Sequence, residues 1–336
     1  MKTFSIIIPV YNGQDVIGRA LDSVYSQGLT NEQFEVICVD DCSPTMDTYN
    51  AIKDYTYNEK HPINLRILRH DVNKRQGAAR NTAIKQAEGE YVLYLDADDY
   101  FVENSLIKLQ ELLSQYNDLD CAMYDFQQYK PSPIDTIKKS IYASLNLPAN
   151  IVMSGEDFIQ KYPIPWTPTI YAYKRTFLLQ EKIYFVENAQ FEDTDYVMRC
   201  TLYAKKMVFL SLDVMTYVIN YGTTTTVGNN RTKITELFKL SSRMKTIAES
   251  FIPRNYNAAM AAMNHHLFHY KILLKKTLWR LPYKTILDLL YHYPPYDKSN
   301  DKIINFAYKN PKTYAIIAQF SRPFLLTAIW LRNKIK

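Results

Sequence analysis

Three aspartates, Asp96, Asp98 and Asp99, close the segment GEYVLYLDADDY at residues 89–100. Carboxylates gathered behind an apolar run suit hard divalent cations, which take oxygen ligands in near-octahedral geometry. A nucleoside diphosphate arriving with Mg²⁺ or Mn²⁺ needs only one or two protein carboxylates, because phosphate oxygens and water complete the shell. A solvated acidic turn competes with that reading, and for an isolated Asp-x-Asp it is the ordinary one. A second acidic pair, Asp40-Asp41, ends FEVICVDD. A carboxylate there can accept from a uracil ring N–H or a ribose hydroxyl, or it can make a turn with the Ser-Pro that follows. Tyr11 carries a ring that could stack on a base or simply pack.

These groups act together only if the fold brings them to one place. Residues 4–8 (FSIII), 34–39 (FEVICV) and 91–95 (YVLYL) are continuous apolar runs, the pattern of parallel strands covered on both faces. Val16, Ile17, Ala20, Leu21, Val24 and Tyr25 form one helical stripe, and Ala79, Ala83, Ile84 and Ala87 another. A strand at 65–68, a helix near 103–115 and a strand near 119–124 continue the alternation. The fold class predicted is α/β, a doubly wound and mostly parallel sheet with helices on both faces. Ligands of such sheets bind beyond the carboxyl ends of the strands. Val10-Tyr11-Asn12, Asp40-Asp41 and Asp96 to Asp99 each follow a strand, so all three face one crevice.

The 336 residues suffice for two domains, and nearly half are apolar, so a sizeable core is expected. Residues 126–165, with prolines at 131, 133, 148, 163 and 165, read as an excursion over the crevice. The net charge of +6 conceals a split: Arg231 to the end holds 19 basic and 5 acidic residues, whereas the first 230 hold 21 and 29. Domains are therefore expected at 1–230 and 231–336, the second basic and mostly helical. Met260, Met263, Leu267, Tyr270, Leu274, Leu278 and Leu281 recur there at helical spacing. The end, RPFLLTAIWLRNKIK, joins bulky apolar residues to cations, as an interfacial helix on an anionic membrane does. A solvated dimer surface is the other reading, and no nucleic-acid motif accompanies the charge. His265, His266 and His269 share a helix with no carboxylate partner and read as surface or core rather than as a metal site. Cys38, Cys42, Cys121 and Cys200 have no zinc or redox spacing and suit reduced thiols in the cytoplasm. The N-terminal apolar stretch is too short for a signal peptide, and no run is long enough to span a bilayer.

Taken in order, SIIIPVYNGQDVIGRALDSVYSQ, FEVICVDDCSP, NKRQGAARNTAIKQAEGEYVLYLDADD and FEDTDYVMRC resemble the family 2 inverting glycosyltransferases of bacterial polysaccharide biosynthesis, enzymes of the GT-A fold. The resemblance spans about residues 3–225. It implies that Pro9, Val10 and Tyr11 line the base, that Asp41 bonds base or ribose, and that Asp96 and Asp98 form the Asp-x-Asp. Asp98 is then the direct ligand of Mn²⁺ or Mg²⁺, Asp96 serves ribose and metal-bound water, and Asp99 orders the acceptor side. Gly77 permits a tight approach. Arg80, beside Asn81, either reaches the phosphates or braces the acidic cluster through a salt bridge to Asp96 or Asp98.

Inverting transfer is a single displacement, so a carboxylate must take the acceptor's proton opposite the leaving diphosphate. The resemblance gives that role to Asp193 of Glu192-Asp193, with Glu192 and then Asp195 as competitors; helix capping is the structural alternative. Trp166 and Tyr171/Tyr173 occupy the stretch that shapes the sugar or acceptor pocket. TYVINYGTTTT lacks the family's Tyr-x-Tyr-Arg ending, leaving Lys233, Arg231 or another residue to supply the cation. The expected activity is transfer of a hexosyl or N-acetylhexosaminyl group from a nucleotide-sugar donor, a UDP-sugar, to a glycan or polyprenyl-diphosphate-linked acceptor. The location implied is cytoplasmic, peripheral at the inner face of the cell membrane. A nucleotidyltransferase using the same crevice and a catalytically silent nucleotide-sugar-binding module are the alternatives.

Overall fold

The computed structural model describes residues 2–56, 64–131, 136–139, 146–219, 231–276, 278, 281–296 and 299–319. Two compact units divide the chain, Met1–Thr226 and Val227–Lys336.

The first unit is built on one nine-stranded sheet. Its strands are β1 (Phe4–Val10), β2 (Phe34–Asp40), β3 (Leu65–Arg69), β4 (Tyr91–Tyr94), β5 (Tyr100–Phe101), β6 (Cys121–Lys130), β7 (Thr136–Lys139), β8 (Tyr171–Lys174) and β9 (Met207–Val218). They lie in the order β3-β2-β1-β4-β8-β6-β9-β5, with β7 beside β6. β1 to β4 pair in parallel, as do β6 and β9, whereas β5, β7 and β8 run antiparallel to their neighbours. The sheet is thus mixed and mostly parallel, of GT-A type. Every residue of β1, β2 and β4 is buried, as the unbroken apolar runs require.

Its helices are α1 (Ile17–Tyr25), α2 (Asp47–Thr56), α3 (Arg75–Ile84), α4 (Ser105–Leu113), α5 (Gly155–Lys161), α6 (Arg175–Gln180) and α7 (Glu192–Tyr203). α1 turns Ile17, Ala20, Leu21 and Val24 inward, the stripe read from the sequence.

At the amino ends of the strands one buried carboxylate fastens four segments. Glu35 accepts from Ser5 Oγ (2.5 Å), Glu88 N (2.6 Å), Arg66 Nη2 (2.5 Å) and Lys2 Nζ (3.4 Å). Burial alone would raise its pKa; these donors hold it below the ordinary carboxylate value. Gly89 lets the chain pass close by, since a Cβ there would lie 2.5 Å from Phe4 C and Ser5 N.

β6 extends well past the strand expected near 119–124. Its apolar run stops at Tyr124, but Phe126 remains buried and the polar residues beyond it continue the ladders with β9 and β7. A half-exposed ribbon alternates rather than runs, so the period changes while the strand continues. The stretch 126–165 accordingly holds the end of β6, β7, α5 and connecting segments, two of which fall outside the described residues.

The second unit contains α8 (Arg231–Phe251), α9 (Tyr256–Lys276), α10 (Tyr283–His292) and α11 (Lys302–Lys309), followed by a helix over 311–319. Ile234 and Phe238 of α8 share a core with Tyr270, Leu273 and Leu274 of α9 and Ile286 and Leu289 of α10. The expected stripe holds through Leu274, but α9 ends at Lys276, and Leu278 and Leu281 reach the same core from beyond it. Asp301 caps α11 by accepting from the amides of Ile303 and Ile304. Among the described residues no helix is long and apolar enough to cross a membrane. The amphipathic segment 322–336 falls outside the described residues.

His266 is wholly buried beneath α8. Its Nδ1–H donates to Ser241 O at 2.7 Å, while Nε2 has no partner among the described residues. A second ring proton would have nowhere to bond, and burial pushes the pKa down to about 4. Burial also lowers His265 to about 4 and moves His269 down. The unfolded chain binds the His265 and His266 protons below about pH 6.5, and the folded one does not until near 4. Stability therefore falls as pH drops through that window, by up to about 3 kcal/mol for a group as buried as His266. Melting temperature measured from pH 7 to 4 should decline. His266→Asn keeps a donor near Nδ1 and removes the titration, so it should flatten the decline without abolishing it.

Candidate active site

From β1 the chain winds to β2 and β3 on one side, then returns to β4 on the other. The reversal opens a crevice at the carboxyl ends of β1, β2 and β4, where open α/β sheets bind ligands. Main-chain bonds set its floor: Asp41 N donates to Val10 O (2.9 Å) and Leu95 N to Ile7 O (3.0 Å). Asn12, Cys42, Arg75 and Phe191 take positive φ, from 52° to 69°. Each stands beside a segment that reaches this crevice. For non-glycine residues, bulky Phe191 above all, that conformation is uncommon and is held by its surroundings.

The Asp40-Asp41 pair divides into a turn-maker and an open acceptor. Asp40 spends both oxygens on the fold, Oδ1 on Ser43 N and Oγ and Oδ2 on Arg69. Asp41 accepts His70 Nδ1 (2.7 Å) and Lys74 N (2.9 Å) on Oδ1 alone. Pro9 and Val10 are buried within β1, whereas Tyr11 is 54% exposed and free to lie along a ligand.

Arg80 binds the acidic strand end to α7. The guanidinium is fully buried and reaches Asp193 Oδ1 (2.5 Å), Asp96 Oδ1 (2.9 Å) and Glu192 Oε1 (3.6 Å). Of the two bracing partners expected for it, Asp96 is met, and Asp193 joins it. Aromatic faces hold the group from the other side, Phe185 at 5.0 Å and Tyr94 at 5.7 Å. Asn81 explains its own position beside Arg80. It bonds Phe185 O (2.9 Å) and Phe185 N (2.8 Å), clamping that segment to α3. Phe185 in turn stacks on Tyr196 of α7, whose hydroxyl meets that of Tyr94 at 2.8 Å. Gly77 permits the contact from α3, since a Cβ there would come within 3.0 Å of Glu192 Cγ and Val186 O.

Asp193 is not the cap of α7. Phe191 occupies that position with no side-chain bond, and the Asp193 carboxylate turns to Arg80. Burial and the neighbouring Asp96 raise the Asp193 pKa against the pull of Arg80. Burial and Asp193 push Glu192 up to about 7. Burial alone would lower Arg80, but Asp193, Asp96 and Glu192 keep it firmly protonated. Asp195 is buried one turn into the helix, 4.0 Å from Arg199.

The remaining acidic residues separate. Asp96 also accepts Gln76 Nε2 (2.6 Å) and is partly exposed. Asp98 is half-buried, and its main-chain oxygen accepts Arg19 Nη2 (2.5 Å), whose guanidinium covers the Tyr100 ring. Asp99 is buried; its Oδ1 accepts Val218 N (2.8 Å), and its Oδ2 has no partner among the described residues. Burial and Asp96 raise its pKa.

Trp166 is half-buried ahead of a 3-10 turn at Pro168–Ile170. Tyr171 and Tyr173 are core residues, stacked on one another. Residues 220–230 lie outside the described residues, as does the side chain of Arg231, and Lys233 belongs to α8 of the second unit. Sequence reasoning missed His70, Gln76, Phe185 and Arg19. Only His70 carried a signal, because it follows a strand just as Tyr11, Asp41 and Asp96 do.

Among the described residues no three His, Cys, Asp or Glu side chains form a metal-holding group by themselves. Asp96 and Asp98 nonetheless offer an all-oxygen set of the kind that shares Mg²⁺ or Mn²⁺ with phosphate. The chain is 32% identical over 208 residues to a poly(ribitol-phosphate) beta-glucosyltransferase of Bacillus spizizenii, a match covering 60% of this chain and 30% of that protein. Residues 1–349 of Staphylococcus aureus TarS in complex with UDP-GlcNAc share the fold, with TM-score 0.71 at 21% identity over 96% of this chain and 91% of that one. A mannosyltransferase from Pyrobaculum calidifontis in complex with GDP-Man and Mn²⁺ matches with TM-score 0.54 at 16% identity, over 95% and 86%. Residues 5–186, more than half of the chain, match the family described as Glycosyl transferase family 2, and the protein belongs to that family.

Proposed function

We propose that the protein is an inverting glycosyltransferase that moves a sugar from a UDP-sugar to a hydroxyl of a glycan or polyprenyl-diphosphate-linked acceptor. The observation that carries this reading is the Arg80 bridge. One buried guanidinium brings Asp96, at the end of β4, to the same point as Asp193, at the start of α7. The relatives named as glucosyl- and N-acetylglucosaminyltransferases support a hexosyl or N-acetylhexosaminyl donor.

In the displacement, Asp193 accepts the proton of the acceptor hydroxyl as that oxygen bonds to the anomeric carbon. The bond from that carbon to the diphosphate breaks on the opposite face, and the electron pair leaves with the nucleoside diphosphate. Arg80 holds Asp193 in one orientation and keeps Asp96 beside it; Phe185 and Tyr94 exclude water from the guanidinium. Asp98, with Asp96, would hold Mn²⁺ or Mg²⁺, which supplies positive charge to the departing diphosphate. Tyr11 and Asp41 receive the nucleoside. The strongly basic second unit suits an anionic surface at the inner face of the cell membrane, where a lipid-linked acceptor would be met.

Three outcomes test this reading. UDP should raise the melting temperature more with Mn²⁺ than without, and Asp98→Asn should remove the metal-dependent increment; absence of any such increment in the parent chain would sink the donor assignment. Asp193→Asn should lower the release of UDP from donor and acceptor by about 10²–10⁴-fold while donor affinity changes only a few-fold. Full turnover after that substitution would move the base role to Glu192. Truncation after Gln319 should reduce sedimentation with anionic liposomes, and equal sedimentation of both forms would remove the membrane assignment from this segment.

A further inference from the structure

The geometry points to His70 as a positioning residue that decides which nucleobase edge the crevice accepts, an inference resting on the nucleotide-sugar reading above. His70 follows β3, and its side chain is 8% exposed, beside an Asp41 side chain that is 4% exposed. Nδ1 lies 2.7 Å from Asp41 Oδ1, and Nε2 lies 2.9 Å from Thr82 Oγ1 on α3. A carboxylate only accepts, so the ring proton shared with Asp41 is on Nδ1, and in the neutral ring Nε2 accepts the Thr82 hydroxyl. Backbone bonds fix the ends of this relay. His70 N donates to Asp40 O (2.9 Å), Asp41 N donates to Val10 O (2.9 Å), and Asn73 Nδ2 donates to Asp41 O (3.1 Å).

The consequence falls on the second carboxylate oxygen. Lys74 N joins His70 on Oδ1, while Oδ2 takes no bond from any described residue. His70 therefore prevents the carboxylate from rotating and leaves Oδ2 as a fixed anionic acceptor at the end of β2. An acceptor of that kind requires a donor from its ligand. Uracil presents one at N3–H, whereas cytosine presents a lone pair at N3 and would leave a nearly buried carboxylate oxygen facing it. Sites built around a buried polar group reject partners that cannot complete its bond. Guanine also carries an N–H on its pairing edge, so the class selected is the N–H-bearing base, and the Asp40 carboxylate, saturated by Ser43 and Arg69, takes no part.

The experiment compares UDP with CDP by calorimetry on the full chain, with Mn²⁺ present throughout. The two differ at the edge in question and share ribose and diphosphate. The parent chain should favour UDP by about a hundredfold or more. His70→Gln places its amide near the Nε2 end and fails to reach Asp41, so the UDP/CDP ratio should fall about tenfold. His70→Asn places an N–H near Nδ1 and should retain most of the preference. Thr82→Val removes the hydroxyl that fixes the ring and should give an intermediate ratio, which keeps the test decisive if His70→Gln does not fold. A purely structural histidine would weaken UDP and CDP equally, and so would an Oδ2 that serves a ribose hydroxyl. Either result, or an unchanged ratio in a folded His70→Gln, overturns the inference. Failure of UDP to bind the parent chain would instead overturn the donor reading beneath it.

Discussion

A buried arginine is tolerated only where carboxylates meet it, because an unpaired guanidinium in a protein interior carries a large desolvation penalty. Arg80 obtains its partners from two places far apart in sequence, Asp96 and the Glu192-Asp193 pair. That requirement constrains everything around it. α3 must approach closely enough for the side chain to reach, which Gly77 permits. The segment through Phe185 must lie flat against the guanidinium, which Asn81 enforces through two bonds to one residue's backbone. α7 must begin where Asp193 faces inward, which the left-handed Phe191 and the Phe185–Tyr196 stack together arrange. Removing one partner from such a pair typically costs about 3–5 kcal/mol, so fold stability and site geometry depend on the same group.

The opposite ends of the strands show the same economy with the charges reversed. There Glu35 is the buried ion, and Ser5, Arg66, Lys2 and two backbone amides surround it. Its bonds close on themselves, leaving no oxygen for a ligand. At the carboxyl ends Asp40 is likewise closed, while Asp41 keeps one oxygen without a described partner. Identical side chains in adjacent positions thus play different parts, and the difference lies in how many donors each meets.

Much of the framework was legible in the sequence. Continuous apolar runs revealed β1, β2 and β4, and the rule that ligands bind beyond strand ends placed Tyr11, Asp41 and Asp96 around one crevice. Strand ends are readable because the change from apolar to polar residues is local. The Arg80 contacts were open because a salt bridge between residues 80 and 193 joins elements whose packing no local pattern records. Asp96 was among the partners expected of Arg80, whereas Glu192 and Asp193 were not. Phe185 was illegible for a further reason: a buried aromatic in a chain with 28 tyrosines and 15 phenylalanines carries no mark of what it touches. The length of β6 was misjudged because strand periodicity changes when one face becomes exposed. His70 shows the reverse case, since the strand-end argument applied to it fully and needed only to be extended to β3.

The charge balance at the crevice also bears on what can enter it. Asp96, Asp98, Asp99, Glu192 and Asp193 face or flank a region where Arg80 is the buried cation, and Arg80 is already engaged with three of them. Burial and mutual repulsion raise the pKa values of Asp99, Glu192 and Asp193, so the region resists carrying its full negative charge. A diphosphate approaching alone would meet like charge in a partly dehydrated cleft. Accompanying cations would offset that repulsion, and under the proposed function Asp96 and Asp98 would share them. The buried Arg80 offsets part of this surplus at Asp96, Glu192 and Asp193. Burial and Asp96 draw the Asp193 pKa up and Arg80 draws it down, and the balance lies above the ordinary aspartate value.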